Sequence, residues 1–342
     1  MRYRLLPPPL RTLAALAAAA LVGCSGSGGG GPTGPDTVAS QTGGASVEFR
    51  GEVVDQHTGA PLPGVHVTGG DASAWTDAAG RFQLVASAGI ELTLSSSGYY
   101  ERITALEGGF GRFSLVPRSF DMTAFNDVAR DNSSGTLRWL TSPAVYVDLR
   151  AHSFGAAGSV PAEWVEEVAS LAPQFLSHWT GGALSAASVT VGTTPPPAGT
   201  PGVLVIAFDE DPSRYPNAAS AGAAIASWDR AGVIRSATIR LRFSGLTGGA
   251  AAISRQAVLG HEIGHAMGLA HMDGATSSMM APVVRTPELT AFDRAAGALL
   301  YDRLPGTRAD DRETASATRS ALASAGAFSA GTICGVEIQT AH

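Results

Sequence analysis

The stretch HEIGHAMGLAH, residues 261–271, constrains this chain more than any other, because it dictates a helix and also how that helix must end. His261 and His265 stand four apart, so on a helix their side chains share one face, one turn apart. Glu262 is displaced round the helix from His261, where it can contact a water on an ion held by the imidazoles without being a ligand itself. Gly268 tolerates positive φ and can stop the helix and turn the chain. His271 follows three residues later and can return from the loop as a third ligand. Histidines spread on a solvated helix face are the alternative. Adding the glycine and the third histidine lowers the chance of accident from about one chain per hundred to about one in tens of thousands. The pattern predicts a zinc site held by His261, His265 and His271 with one position open for water, the arrangement of a catalytic site. Leu259, Ile263, Ala266 and Met267 recur on another face and are expected in the core. Gly260 and Gly264 each cost about 1 kcal/mol relative to alanine inside a helix, so close packing is expected against them.

The chain has 342 residues, a net charge of −6 and no lysine among its 23 basic residues. It shows no run of arginines that could track a phosphate backbone, so nucleic acid is not an expected partner. Arg2, Arg4 and Arg11 precede the apolar run TLAALAAAALV (residues 12–22), which is too short for a convincing transmembrane helix. Leu21-Val22-Gly23-Cys24 resembles the lipobox of bacterial lipoproteins. That resemblance implies cleavage of residues 1–23, lipidation of Cys24, and attachment to the outer membrane or cell surface; Ser25 fits outer-membrane sorting. An ordinary secretory signal with a chance cysteine is the alternative. Cys334 is the second of two cysteines, so lipidation of Cys24 leaves no intrachain disulfide. Residues 24–45 are a Gly/Ser-rich tether that cannot bury a core.

Residues 46–117 change to short runs of alternating polarity: VEFRGEVV, GVHVTG, RFQLVA, IELTLS, ERITAL and GRFSLV. DQHTGAPLPG and TDAAG supply the reversals between them. Strands this short and frequent predict a small β-sandwich. The series GEVVDQHTGAPLPGVHV, TDAAGRFQL and SSSGYY resembles the carboxypeptidase regulatory-like domain, which implies a transthyretin-like fold and an accessory role. His57 and His66 are expected as turn or surface residues.

From 118 to 304 helix and strand patterns alternate. AVYVDLR, VLVIAFDED and two runs around a turn within residues 221–243 read as strands. Residues 161–179, 251–268 and 288–304 read as helices, with Pro173 an awkward residue in the first of them. The whole predicts a multidomain chain, a β-sandwich followed by an α+β domain with a mixed sheet and a metal-bearing helix. Residues 305–342 are small, polar and poor in large apolar residues until the last few positions, and a mostly disordered tail is expected.

HEIGHAMGLAH resembles the zinc signature of metzincin metalloproteases, and SMMAP (278–282) resembles their Met-turn, which points to Met280 beneath the site. Met279 is the alternative, as a plain core residue. Pro282 stands where astacin-like and serralysin-like members carry tyrosine, so the matrixins look closest. No matrixin propeptide is recognisable. TICGVE around Cys334 is faintly similar to the zinc-capping cysteine segment of such propeptides but lies at the wrong end of the chain, so a free thiol is expected. The resemblance implies an endopeptidase for protein or peptide substrates, with Glu262 as general base. It also implies a substrate-pairing edge strand, for which Ala223, Ala224, Ile225 and Ala226 are the candidates, an ordinary sheet strand being the equal alternative. Asp209, Glu210 and Asp211 are candidates for calcium, as in matrixins, or form a solvated loop. A non-enzymatic cell-surface binding protein with an inert zinc site is the competing function, and a zinc hydrolase for a non-protein amide is a third.

Overall fold

The computed structural model describes residues 46–105, 109–130, 135–152, 159–216, 219–243, 246, 251–272, 277–284, 287–308, 311–313 and 328–337. The signal segment, Cys24 and the tether lie outside the described residues. The first strands are β1 (Ser46–Asp55), β2 (His66–Gly69), β3 (Ala72–Trp75), β4 (Arg81–Ser87), β5 (Glu91–Ser95), β6 (Arg102–Ala105) and β7 (Gly109–Leu115). They form two sheets, ordered β4-β1-β7 and β3-β2-β5-β6. The period-two pattern explains the layering: Phe82 and Leu84 on β4, and Leu92 and Leu94 on β5, turn into one core with Phe49 and Val67 while their neighbours face outward. The reversal after β1 is held by Asp55, whose carboxylate accepts from the backbone amides of His57 and Thr58 at 2.8 and 2.7 Å and from the Tyr99 hydroxyl at 2.9 Å. Strand β3 was not apparent from the sequence; it is a four-residue edge strand with Trp75 exposed.

Helix α1 (Met122–Arg130) leads into a six-stranded mixed sheet. Its members are β8 (Ala144–His152), β9 (Ser188–Gly192), β10 (Val203–Asp209), β11 (Ser220–Asp229), β12 (Ile234–Leu241) and β13 (Phe328–Glu337), in the order β13-β11-β12-β10-β8-β9. Strands β12, β10, β8 and β9 are parallel neighbours, whereas β11 runs antiparallel to both β12 and β13. Helices α2 (Ala162–Trp179), α3 (Ala251–Ala266) and α4 (Ala291–Asp302) share one core with this sheet. Helix α2 continues as one element through Pro173.

The expectation of a disordered tail from 305 to 342 is corrected at two places. Arg312 bridges to Ile103 of β6, and residues 328–337 are a full strand on the outer side of β11. A strand joined through backbone hydrogen bonds needs little apolar side chain, which is why composition concealed it.

A buried charge cluster joins the sandwich to the second body. Arg102 of β6 donates to both oxygens of Glu313 at 3.0 and 3.2 Å, and Thr104 donates to the same carboxylate at 2.6 Å. Arg303, at the end of α4, grips Asp311 with Nε at 2.7 Å and Nη2 at 2.8 Å, and its Nη1 reaches the Ser114 hydroxyl of β7 at 3.0 Å. Arg130 of α1 also donates to Asp311, at 3.3 Å. Burial alone would raise the Asp311 carboxyl, but the Arg303 guanidinium outweighs it and holds the group at about 2. Asp311 sits at φ 56°, a conformation asparagine also accepts. Asp311→Asn should therefore keep the backbone while leaving the arginines short of a buried counter-charge, at a loss of about 3 kcal/mol by urea unfolding at neutral pH. Because the folded carboxyl lies below its ordinary value of 3.8, the wild-type advantage is full above about pH 4. It should shrink as pH falls through about 2.

Candidate metal centre

Helix α3 carries His261 and His265 on one face, and both are buried. The helix stops at Gly268, whose φ is +103°. A Cβ there would also overlap the Leu137 carbonyl, so the turn needs glycine for both conformation and space. Beyond the turn, Ala270 donates to the Val128 carbonyl of α1 at 2.6 Å and Met272 to the Met280 carbonyl at 2.9 Å. These two bonds bracket His271 and bring it back to the helix.

The three imidazoles converge through Nε2. His261 Nε2 lies 2.8 Å from His265 Nε2 and 3.2 Å from His271 Nε2. His261 Nδ1 is 2.6 Å from the Met279 carbonyl and His265 Nδ1 is 2.7 Å from the Leu269 carbonyl. A carbonyl can only accept, so each Nδ1 carries the ring proton and each facing Nε2 presents a lone pair. Burial is the main reason the His265 ring is held down to about 3, with His271 adding to it. Burial likewise carries His261 well below its ordinary value, assisted by its two neighbours. Neutral lone pairs this close, with no proton between them, suit a shared cation, and a compact set of nitrogen donors suits zinc. His271 is only half-buried, so it stands on the open side of the group.

Glu262 is fully buried beside this group. Its carboxylate packs onto β11 at Gly222, where any Cβ would overlap it. Gly222 is thus a site residue that sequence reading missed; a lone glycine in a strand carried no signal of its own. Met279 and Met280 are both buried, and their sulfurs lie where a Cβ on Gly260 or Gly264 would be. The expected close packing on those glycines is therefore provided by the methionine turn, with Phe175 and Trp179 of α2. That turn is fastened by Asp293, which accepts from the Ser278 hydroxyl at 2.5 Å and the Met279 amide at 2.9 Å. Asp293 also completes the capping box of α4 with Thr290. The T-x-x-D spacing could have signalled the cap, but not its hold on Met279. Carbonyls at the C-terminal end of α3 are satisfied by side chains: Trp139 donates to Ala266 at 2.8 Å and Tyr301 to Met267 at 3.1 Å.

The acids considered for calcium have partners within the protein, and calcium gains no support there. Asp209 accepts from the Asp211 amide at 3.1 Å and pairs with Arg214 at 3.3 Å. Glu210 accepts from the Phe243 amide at 3.1 Å, and Asp211 caps the short turn Pro212–Arg214 through Ser213. Among the described residues, the group of His, Cys, Asp and Glu able to hold a metal is the histidine triad. Ala223, Ala224, Ile225 and Ala226 lie in β11, flanked by β12 on one side and β13 on the other.

The Matrixin family model matches residues 178–301, a span that holds the triad, Glu262, the methionine turn and most of α4. The match supports a zinc metallopeptidase. No curated protein matches this chain. Among solved structures the chain is similar to the C-terminal domain of a shaft pilin from Lactobacillus rhamnosus GG, at 14% identity and a TM-score of 0.17, over 21% of this chain and 98% of that one. It is also similar to a 9R-lipoxygenase from Cyanothece, at 16% identity and a TM-score of 0.17, over 28% of this chain and 19% of the other. Likenesses at this level carry no argument about fold or function.

Zinc should bind with one ion per chain and raise unfolding stability by about 4 kcal/mol at a thousandfold excess over Kd. His265→Ala should abolish that increment in a melting titration. Gly264→Ala separates propensity from packing. Helix propensity alone would gain about 1 kcal/mol, whereas the Met280 sulfur and the Trp179 ring leave no room for the methyl. A net loss of about 1–3 kcal/mol by denaturant titration is expected.

Proposed function

We propose that this protein is a zinc-dependent endopeptidase whose general base is Glu262, exported and held at the outer membrane or cell surface by a lipid on Cys24. The observation that carries the reading is the juxtaposition of three converging Nε2 atoms with a buried carboxylate one residue along the same helix. The Matrixin match supports the same activity. Zinc held there supplies a Lewis acid for a peptide carbonyl and brings water within reach of deprotonation near neutral pH.

The chain's own residues do the rest. His261 and His265 keep their Nδ1 protons on backbone carbonyls, which fixes the ring planes and leaves Nε2 free to bind. Glu262 accepts the proton of the attacking water on a carboxylate oxygen and returns it to the leaving nitrogen. Gly222, having no side chain, lets that carboxylate lie against β11. The substrate is a protein or peptide segment in extended conformation, taken alongside β11. The β-sandwich, read as a carboxypeptidase regulatory-like accessory domain, serves as a spacer between anchor and catalytic body.

Glu262→Ala should retain zinc at one ion per chain while cleavage of an unfolded protein falls by about two to four orders of magnitude, the range a general base contributes. Metal content and cleavage are measured on the same samples, with and without chelator. Cleavage at the wild-type rate would remove Glu262 as the base. Zinc-loaded wild type that cleaves nothing would favour the non-enzymatic binding protein.

A further inference from the structure

The strand beside the candidate catalytic glutamate has both of its hydrogen-bonding edges occupied, and one occupant comes from the far end of the chain. β12 takes one edge of β11 and β13 the other. The outer pairing runs from Asp229 opposite Phe328 to Ala224 opposite Ile333, steps at Cys334, and resumes with Ala223 opposite Gly335 and Gly222 opposite Val336. Gly222 is where β11 meets the Glu262 carboxylate. Residues 335 and 336 therefore lie one inter-strand spacing, about 4.8 Å, outside that contact. β13 also packs against α3, the helix that bears the histidines.

An extended peptide that pairs with the edge of β11 away from β12 would gain backbone hydrogen bonds beside the strand that meets Glu262. β13 has taken that place. Its sequence, FSAGTICGVE, is suited to temporary pairing. It has two glycines, Gly331 and Gly335, and glycine inside a strand weakens it. Residues 311–313, by contrast, are fixed by the buried arginines, so the body stays whole up to residue 313 whether or not β13 is seated.

We propose that residues 328–337 are an intramolecular occupant of the peptide-binding edge of β11, in place until an extended substrate segment displaces them. This rests on the peptidase reading above, and the experiment separates the two. The full chain carrying Gly331→Pro and Gly335→Pro, which breaks the β13 ladder, is compared with wild type, both zinc-loaded and in reducing buffer. Three readouts are taken: hydrogen exchange at Ala223–Ala226, binding of a labelled synthetic peptide of residues 328–337, and cleavage of an unfolded protein.

The variant is expected to lose exchange protection in β11 and to bind the peptide at least tenfold more tightly than wild type. It should cleave at least tenfold faster, and added peptide should return it to the wild-type rate. Equal peptide binding by both proteins, or by neither, overturns the proposal. So does a variant that exposes β11 and cleaves no faster than an active wild type. If neither protein cleaves but the peptide still discriminates between them, the occupant stands and the peptidase reading fails. Should the proline variant not fold, a specific protease site placed between residues 313 and 328 lets β13 be released after folding, with the same readouts and the same outcomes.

Discussion

Two hydrogen bonds from ring nitrogens to backbone carbonyls govern the rest of this structure. With His261 committed to Met279 and His265 to Leu269, both Nε2 lone pairs must point at each other and at His271. Such an arrangement is unfavourable alone and favourable around a cation. The acceptors are equally informative. Met279 belongs to a turn fastened by Asp293 from α4, and Leu269 follows the Gly268 turn that ends α3. Metal site, helix end and methionine turn are therefore one mechanical unit, and a disturbance of any of them reaches the ligands.

A second unit is built from buried charges. Arg102, Arg130 and Arg303 meet Asp311 and Glu313 away from solvent, with contributions from β6, β7, α1 and the end of α4. Taking this many charges out of water is costly, and an apolar contact of equal volume would often be as stable. What the cluster supplies is orientation, because bidentate guanidinium–carboxylate pairs tolerate little rotation. It makes the sandwich and the α+β body a single piece rather than two domains on a flexible joint.

Much of this was legible in the residues. Period-two alternation located β1, β2, β4, β5, β6 and β7, and helical periodicity located α2, α3 and α4, because each buries one face and exposes another. The histidine spacing located the triad. Strands β3 and β9 are short and exposed, so alternation could not reveal them. Helix α1 went unnoticed between turn-forming residues. Gly222 and Asp293 act through contacts with residues distant in sequence, and no local pattern encodes such contacts. β13 joins the sheet by backbone pairing with β11, a partnership no local side-chain pattern encodes. At the acids 209–211 composition shows carboxylates but not their partners, which are Arg214, the Phe243 amide and a local cap.

The tryptophans around α3 have a consequence of a different kind. Trp179 donates its indole to the Gly260 carbonyl at 2.7 Å, and Trp139 donates to Ala266 at 2.8 Å, one on each side of the histidine face. Both rings are almost fully shielded from water, while Trp75 is two-thirds exposed on the sandwich. The molecule thus carries native chromophores wired to the backbone of its metal helix and a separate one on its outer module. Indole emission, read against variants lacking Trp164 and Trp228, can follow the tightening or loosening of that helix without any added label.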